Sequence, residues 1–174
     1  FCIFIQYLNN ENPRKRTKMN YSIEKSIEIL ERIPATLQAL VQGLSDDWVQ
    51  QHEGENTWTV FDILGHLIYA ERVNWLQRAK IILSTQNDKT FPVFDRFAQF
   101  EESKGKNIPM MLVEFAELRS QNIEKLKALN LSAADLSKKG KHPTFGEVSL
   151  SQLLSTWTVH DLGHLAQICR VMSK

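Results

Sequence analysis

Apolar residues recur every three or four positions through most of the chain. Ile23, Ile27, Leu30, Ile33, Leu37, Leu40 and Leu44 form the first such stripe, the pattern of a helix that buries one face. Pro34 falls inside it. Lacking an N–H and crowding the preceding turn, it must kink the helix or divide it. Ser45-Asp46-Asp47 reads as the end of this element, with a loop following through Gly54, Glu55 and Asn56. Thr59 is placed to cap a second helix over 60–83, and Asp62 in its first turn faces the positive end of the helix dipole. Its inner face carries Ile63, His66, Leu67, Ala70, Val73 and Leu76.

Residues 84–92 read as a connection, and 93–107 are mixed, with room for a short helix around Phe94, Phe97 and Phe100. Asn107 caps a third helix that tolerates Pro109 in its first turn, and Met111, Leu112, Phe115, Leu118, Ile123, Leu126 and Leu129 supply its buried stripe. A second linker holds Gly140, Pro143 and Gly146. Ser149 opens a fourth helix through Leu150, Leu153, Trp157, His160, His164, Ile168 and Val171. Little in the chain has the alternation of a strand. The expected fold is therefore all-α, a four-helix bundle. The linkers at 84–107 and 130–148 exceed the roughly 2–8 residues of simple up-down bundles, so at least one long crossover connection is expected.

Composition narrows the setting. With 43% hydrophobic and 24% charged residues, the chain has the make-up of one soluble globular domain. No apolar stretch approaches the ~20 residues of a membrane-spanning helix. Cys2 and Cys169 stand at opposite ends, which is no disulfide framework and points to a reducing cytoplasm. Arg14, Lys15, Arg16 and Lys18 against Glu11 give residues 1–18 a net +3 within a chain total of +1, leaving −2 on residues 19–174. That near-neutral body offers no electrostatic footprint for nucleic acid.

In residues 1–18 the apolar Phe1–Ile5 run precedes the charges, the reverse of a secretory signal. Residues 1–18 are read as an N-terminal extension, disordered or non-native, with Met19 as the functional start of a domain over 19–174. A basic localisation or nucleic-acid arm is the alternative.

The candidate chemistry lies in histidines. His160 and His164 are one turn apart and project from the same face of the fourth helix, in a stripe that is otherwise apolar: Leu153, Trp157 and Ile168. Buried imidazoles need partners, and a metal ion is one that fits a one-turn pair. An isolated pair of this spacing is more often structural. His66, beside the apolar face of the second helix, makes a third inward imidazole, and bundle cores are where such sites are assembled. Three protein ligands leave a position for water or substrate, as in catalytic sites.

Asp161, next to His160, and Asp62, a turn before His66, could orient an imidazole; for Asp62 a helix-terminal carboxylate is the simpler role. His52 and His142 lie in loops and are read as exposed or lining the site mouth. Trp58 and Trp157 are expected in the core, and Cys169 lies off the ligand stripe. An echo between the segments Trp58–Leu67 and Trp157–Leu165 places a polar group at similar depth on both helices.

Three stretches carry a family resemblance. They are Trp58-Thr59-Val60 leading to Gly65-His66-Leu67, then 142–150 (His-Pro-Thr-Phe-Gly-Glu-Val-Ser-Leu), then 156–168, which holds His160-Asp161-Leu162-Gly163-His164. From about Met19 to Met172 the chain resembles the DinB-like (DinB/YfiT) superfamily of small bacterial metalloproteins. The resemblance implies a four-helix bundle with a divalent metal, zinc or nickel, held by His66, His160 and His164, and a homodimer acting on a small molecule. It further implies a metal-dependent enzyme that activates a low-molecular-weight thiol for S-transfer. The alternatives are a hydrolase using metal-activated water and a non-catalytic metal-binding stress-response protein. Arg72, Arg78, Arg119 and Arg170 are the candidates for binding a thiol's carboxylates.

Overall fold

The computed structural model describes residues 21–174; the expected extension 1–18 and the start at Met19 lie outside the described residues. Ser22 caps α1 (Ile23–Leu30) by accepting from the Lys25 N–H. Pro34 occupies the first turn of α2 (Ile33–Val41), so the expected interruption is a division, with Glu31 and Arg32 turning the chain between two helices. Ser45-Asp46-Asp47 does not end structure as expected. It starts a single turn, α3 (Asp46–Val49), where two carboxylates fall in the first turn, the end that favours negative charge, and Val49 is buried.

Thr59 and Asp62 form a reciprocal cap, the Thr59 hydroxyl accepting from Asp62 N–H and Asp62 Oδ2 from Thr59 N–H. They open α4 (Val60–Val73). The helix expected over 60–83 is bent at Asn74, whose φ of −106° and ψ of −74° open the turn before α5 (Trp75–Leu83). Hydrogen bonds from Asn74 N to Ala70 O (3.1 Å) and from Arg78 N to Asn74 O (3.0 Å) run across the bend, which makes it a kink and not an end.

The short helix expected in 93–107 is α6 (Ala98–Glu102), with Phe94 just ahead of it. Asn107 caps α7 (Ile108–Ala128), as its position predicts. The second linker holds more order than its glycines and proline imply: a turn, α8 (Ala133–Leu136), then an antiparallel hairpin of β1 (Lys139–His142) and β2 (Gly146–Ser149). Gly140 pairs with Val148 and His142 with Gly146, which takes the left-handed φ of +74°. Residues 89–91 lie along β1, Lys141 N–H donating to Lys89 O and Phe91 N–H to Lys141 O, both at 2.9 Å. Gly140 permits this docking, because a Cβ there would stand 2.6 Å from Phe91 Cε1 and 2.9 Å from Ile82 Cγ1. Ser149 then caps α9 (Leu150–Val171) in a reciprocal pair with Gln152.

The α1–α2 pair packs on α7, and α1 also on α9; α4 packs on α7 and α9, and α5 on α9. The described residues form two apolar clusters in the interior. One centres on Ile33, Leu37, Ile63, Leu67, Phe115 and Ile168, the other on Leu30, Trp75, Ile82, Ile123, Leu153 and Trp157. Each such side chain contributes about 1.5–3 kcal/mol through removal from water. Along α9 the changeover falls between Trp157 and Ile168, the interval that holds His160 and His164. Among the described residues no helix is long and apolar enough to cross a membrane.

Candidate metal centre

α4 and α9 bring His66, His160 and His164 together, with one nitrogen of each within 4.8 Å of the others. His66 Nε2 and His160 Nε2 stand 3.0 Å apart. Two imidazoles on one tetrahedral ion, each bound at about 2.0–2.1 Å, place their nitrogens about 3.3 Å apart. The pair therefore already sits near the spacing that a shared ion imposes. The three ring centroids are separated by 4.4–5.1 Å, with rings tilted or edge-on to one another.

The outer nitrogens decide which atoms face inward. His160 Nδ1 lies 3.0 Å from Asp161 Oδ1, and His164 Nδ1 lies 2.9 Å from Gln167 Oε1. Both acceptors favour the Nδ1–H tautomer and leave the Nε2 lone pairs for the site, the arrangement typical of metal-binding histidines. His66 Nδ1 is sealed from solvent and has no hydrogen-bond partner among the described residues. Packing holds its ring instead: Trp58 at 4.8 Å, and Phe94 edge-on at 5.6 Å. Burial, followed by the charge of His160, pushes His66 down to about 2 and His164 down to about 3. Both are thus neutral near pH 7, the form that can donate a lone pair.

Behind His160 lies a buried polar network. Asp161 gives its second oxygen to Arg119 Nη2 at 2.5 Å, and the same nitrogen donates to Glu71 Oε1 at 2.8 Å. Arg119 Nη1 reaches Leu30 O, Trp157 Nε1 donates to Glu71 Oε1, and Asn122 Nδ2 to Glu71 Oε2 and to its backbone carbonyl. All four long helical segments thus meet at one guanidinium. Burial would lower the charge state of Arg119, but Asp161 and Glu71 outweigh it and its pKa is raised. Burial likewise opposes ionisation of Asp161, and Arg119 with His160 reverses this, so its carboxyl is held below its usual range.

The other sequence candidates separate cleanly. Asp161 orients an imidazole, whereas Asp62 serves the helix cap. Trp157 is core, but Trp58 is only half-buried and its ring lies along His66 and His164, 6.2 Å from the latter. His52 is exposed and turned to Gly54 O at 2.8 Å, and Cys169 is exposed and apart from the triad. His142 sits half-buried at the end of β1. Three of the four arginines named for a thiol's carboxylates already face protein carboxylates: Arg72 with Glu102 and Glu114, Arg119 as above, and Arg170 with Glu53. Arg78 differs.

Sequence reasoning missed the roles of Gln167, Glu71 and Arg119. Gln167 follows His164 by three residues and so shares its face. Arg119 and Asn122 interrupt the apolar stripe of α7 between Phe115 and Leu126, a visible sign of buried polarity.

Comparison with known proteins places this geometry in a family. The sequence pattern of the DinB superfamily matches residues 29–168, which include all three histidines. A protein of Oceanobacillus iheyensis named "Putative metal-dependent hydrolase" is 24% identical over 86% of this chain and 85% of its own length. A Bacillus mycoides protein of the same designation is 24% identical over 84% and 83%. YfiT from Bacillus subtilis, described as "a probable metal-dependent hydrolase with an unusual four-helix bundle topology", superimposes with a TM-score of 0.75 at 22% identity, over 92% of this chain and 90% of that one. A second solved structure, described as a four-helix bundle protein, gives a TM-score of 0.56 at 16% identity, over 85% and 98%. The two structures share the helical architecture described above, and the family pattern covers most of the sequence: the chain belongs to the DinB superfamily.

Proposed function

We propose that His66, His160 and His164 hold one divalent metal ion, zinc or nickel, and that the protein is a metal-dependent enzyme acting on a small molecule, with hydrolysis as its reaction. The observation that carries this reading is the convergence of three imidazoles, His66 and His160 buried and His164 half-buried, two of them oriented through Nδ1 by Asp161 and Gln167. The names of relatives across most of the chain's length support it. When bound, such an ion supplies Lewis acidity, lowering the pKa of a water or thiol that reaches it.

The protein's own groups do the rest. Asp161 and Gln167 accept the Nδ1 protons of His160 and His164 and hold the rings in register. Trp58, Phe94 and Trp75 set aromatic rings against the imidazoles and limit how they can turn. No carboxylate joins the three-histidine group among the described residues. Three protein donors therefore leave room for an exogenous ligand. The same donor set serves transfer of a low-molecular-weight thiol to an electrophile, which is the second reading.

Elemental analysis of the purified protein tests the site. The expected result is about one divalent ion per chain, lost in His160→Ala; full occupancy in single alanine variants of all three histidines would sink it. Turnover assays on the loaded protein separate the reactions. Metal-dependent cleavage of simple esters or amides supports hydrolysis, and metal-dependent conjugation of one thiol to a generic electrophile supports transfer.

A further inference from the structure

Among the described residues two arginines are buried, and they are treated differently. Arg119, 1% exposed, is met by two carboxylates. Arg78, 8% exposed, faces none among the described residues: its Nη2 reaches only Pro92 O, at 3.4 Å, and its guanidinium lies 5.2 Å from the centre of the Phe91 ring. A backbone carbonyl and an aromatic face are weak compensation for a desolvated cation, because burial without a counter-charge is costly. Burial alone lowers the pKa of this guanidinium, with no opposing carboxylate.

A second polar side chain shares its aromatic neighbour Phe91. His142 ends β1, and its Nδ1 accepts from the N–H groups of Thr144 and Phe145 at 3.1 and 3.3 Å. Two N–H donors on Nδ1 require a lone pair there, which places the proton of the neutral ring on Nε2. The ring stands edge-on to Phe91, 6.2 Å away, so Arg78 and His142 flank the same aromatic side chain. Burial and then the charge of Arg78 lower the pKa of His142, which keeps the imidazole a neutral donor. The hairpin that carries His142 reaches this position because Gly140 lets β1 lie against Phe91 and Ile82.

We propose that Arg78 and His142 form an anion-binding site, taking a carboxylate or phosphate group. Two connections lead from Arg78 to the histidine triad. Trp75, one turn earlier on α5, sets its ring edge-on to His160 at 5.0 Å. Pro92, the acceptor of Arg78, is followed two residues later by Phe94, whose ring meets His66. An anionic group held at Arg78 therefore tethers a small molecule whose reactive end extends along this aromatic wall to the triad. The placement of that reactive end rests on the metal reading; the anion site does not.

The test is an NMR titration of the full chain, following the Arg78 Nε–H and His142 Nε2–H signals with inorganic phosphate, benzoate and phenyl phosphate as probes. The expected result is a saturable shift of both signals, weakened by about tenfold or more in Arg78→Met and Arg78→Gln. Preserved amide spectra establish that the variants fold, and Arg78→Lys, which keeps the charge in a smaller packing volume, covers the case in which they do not. Tighter binding of the two aromatic anions, with shifts at His66 and His164, identifies a group carried by a substrate. Equal or tighter binding of phosphate, confined to Arg78 and His142, identifies a free anion. The absence of a saturable shift with any probe, or unchanged affinity in the Arg78 variants, overturns the proposal. Metal content measured on the same samples keeps the two readings apart, since His160→Ala is expected to lose the ion and retain the anion response.

Discussion

His160 Nδ1 lies 3.0 Å from Asp161 Oδ1, and the other oxygen of that carboxylate is bound to Arg119, so the imidazole is oriented by a neighbour that is itself held from another helix. Adjacent residues on a helix normally diverge by about 100°. Here the side chain of Asp161 bends back to the histidine while still reaching the guanidinium. Asp161→Asn keeps the shape but lets the amide present an N–H to His160 and weakens the ion pair. The expected outcome is a 10–100-fold loss of metal affinity, read by competition with a chromophoric chelator. Unchanged affinity would show that His160 needs no such partner.

Arg119 shares its charge between two buried carboxylates, and removing it leaves both without a cation. Arg119→Met is expected to cost about 3–5 kcal/mol of stability, measured by urea unfolding. Adding Glu71→Gln should recover part of that loss, because one stranded charge disappears. A double variant no more stable than the single one would contradict the shared-cation account.

The pH dependence of the metal-free protein has a defined sign. His66 and His164 are pushed down to about 2 and about 3, first by burial and then by His160, whereas an unfolded histidine titrates near 6.5. Between those limits the unfolded chain binds more protons, so stability rises with pH. It is complete above about pH 6.5 and falls as the pH drops below that, by up to about 1.4 kcal/mol per unit for each histidine. Thermal melting in chelator should decline from pH 7 toward pH 5, less steeply in His164→Phe. A melting temperature that is flat across that range would refute it.

Gly65 precedes His66 and lets α6 approach α4, since a Cβ there would meet Ser103 Oγ at 2.5 Å and Gln99 Oε1 at 3.1 Å. Gly65→Ala gains helix propensity yet must push α6 outward. We expect a net loss of about 1–3 kcal/mol in chemical denaturation, and faster amide exchange over Ala98–Glu102. Gly65→Ala combined with Ser103→Gly removes the clash and should restore stability.

Much of the architecture was legible from local rules. Thr59, Asn107 and Ser149 all cap helices at the positions their side chains predict, because capping depends on residues three apart. Pro34 divides the first helix for an equally local reason. The kink at Asn74 and the hairpin after α8 were not legible. The kink accompanies Trp75 packing parallel to Trp157, 5.8 Å away. The hairpin forms in a four-residue-per-strand segment whose docking on residues 89–91 depends on a glycine fitting between Ile82 and Phe91.

The sequence by itself determined that helices form, where those opened by Thr59, Asn107 and Ser149 start, and that His66, His160 and His164 lie on or beside inward faces, since helical periodicity converts spacing into direction. It also carried the family's pattern. Tertiary structure alone decided that Asp161 and Gln167 orient two of the imidazoles, that Arg119 is the cation between two carboxylates, and that Arg78 is left without one. The physical reason is range. Capping and amphipathicity act over a few residues, whereas a buried charge is settled by whichever groups the packing of distant helices brings within hydrogen-bonding distance.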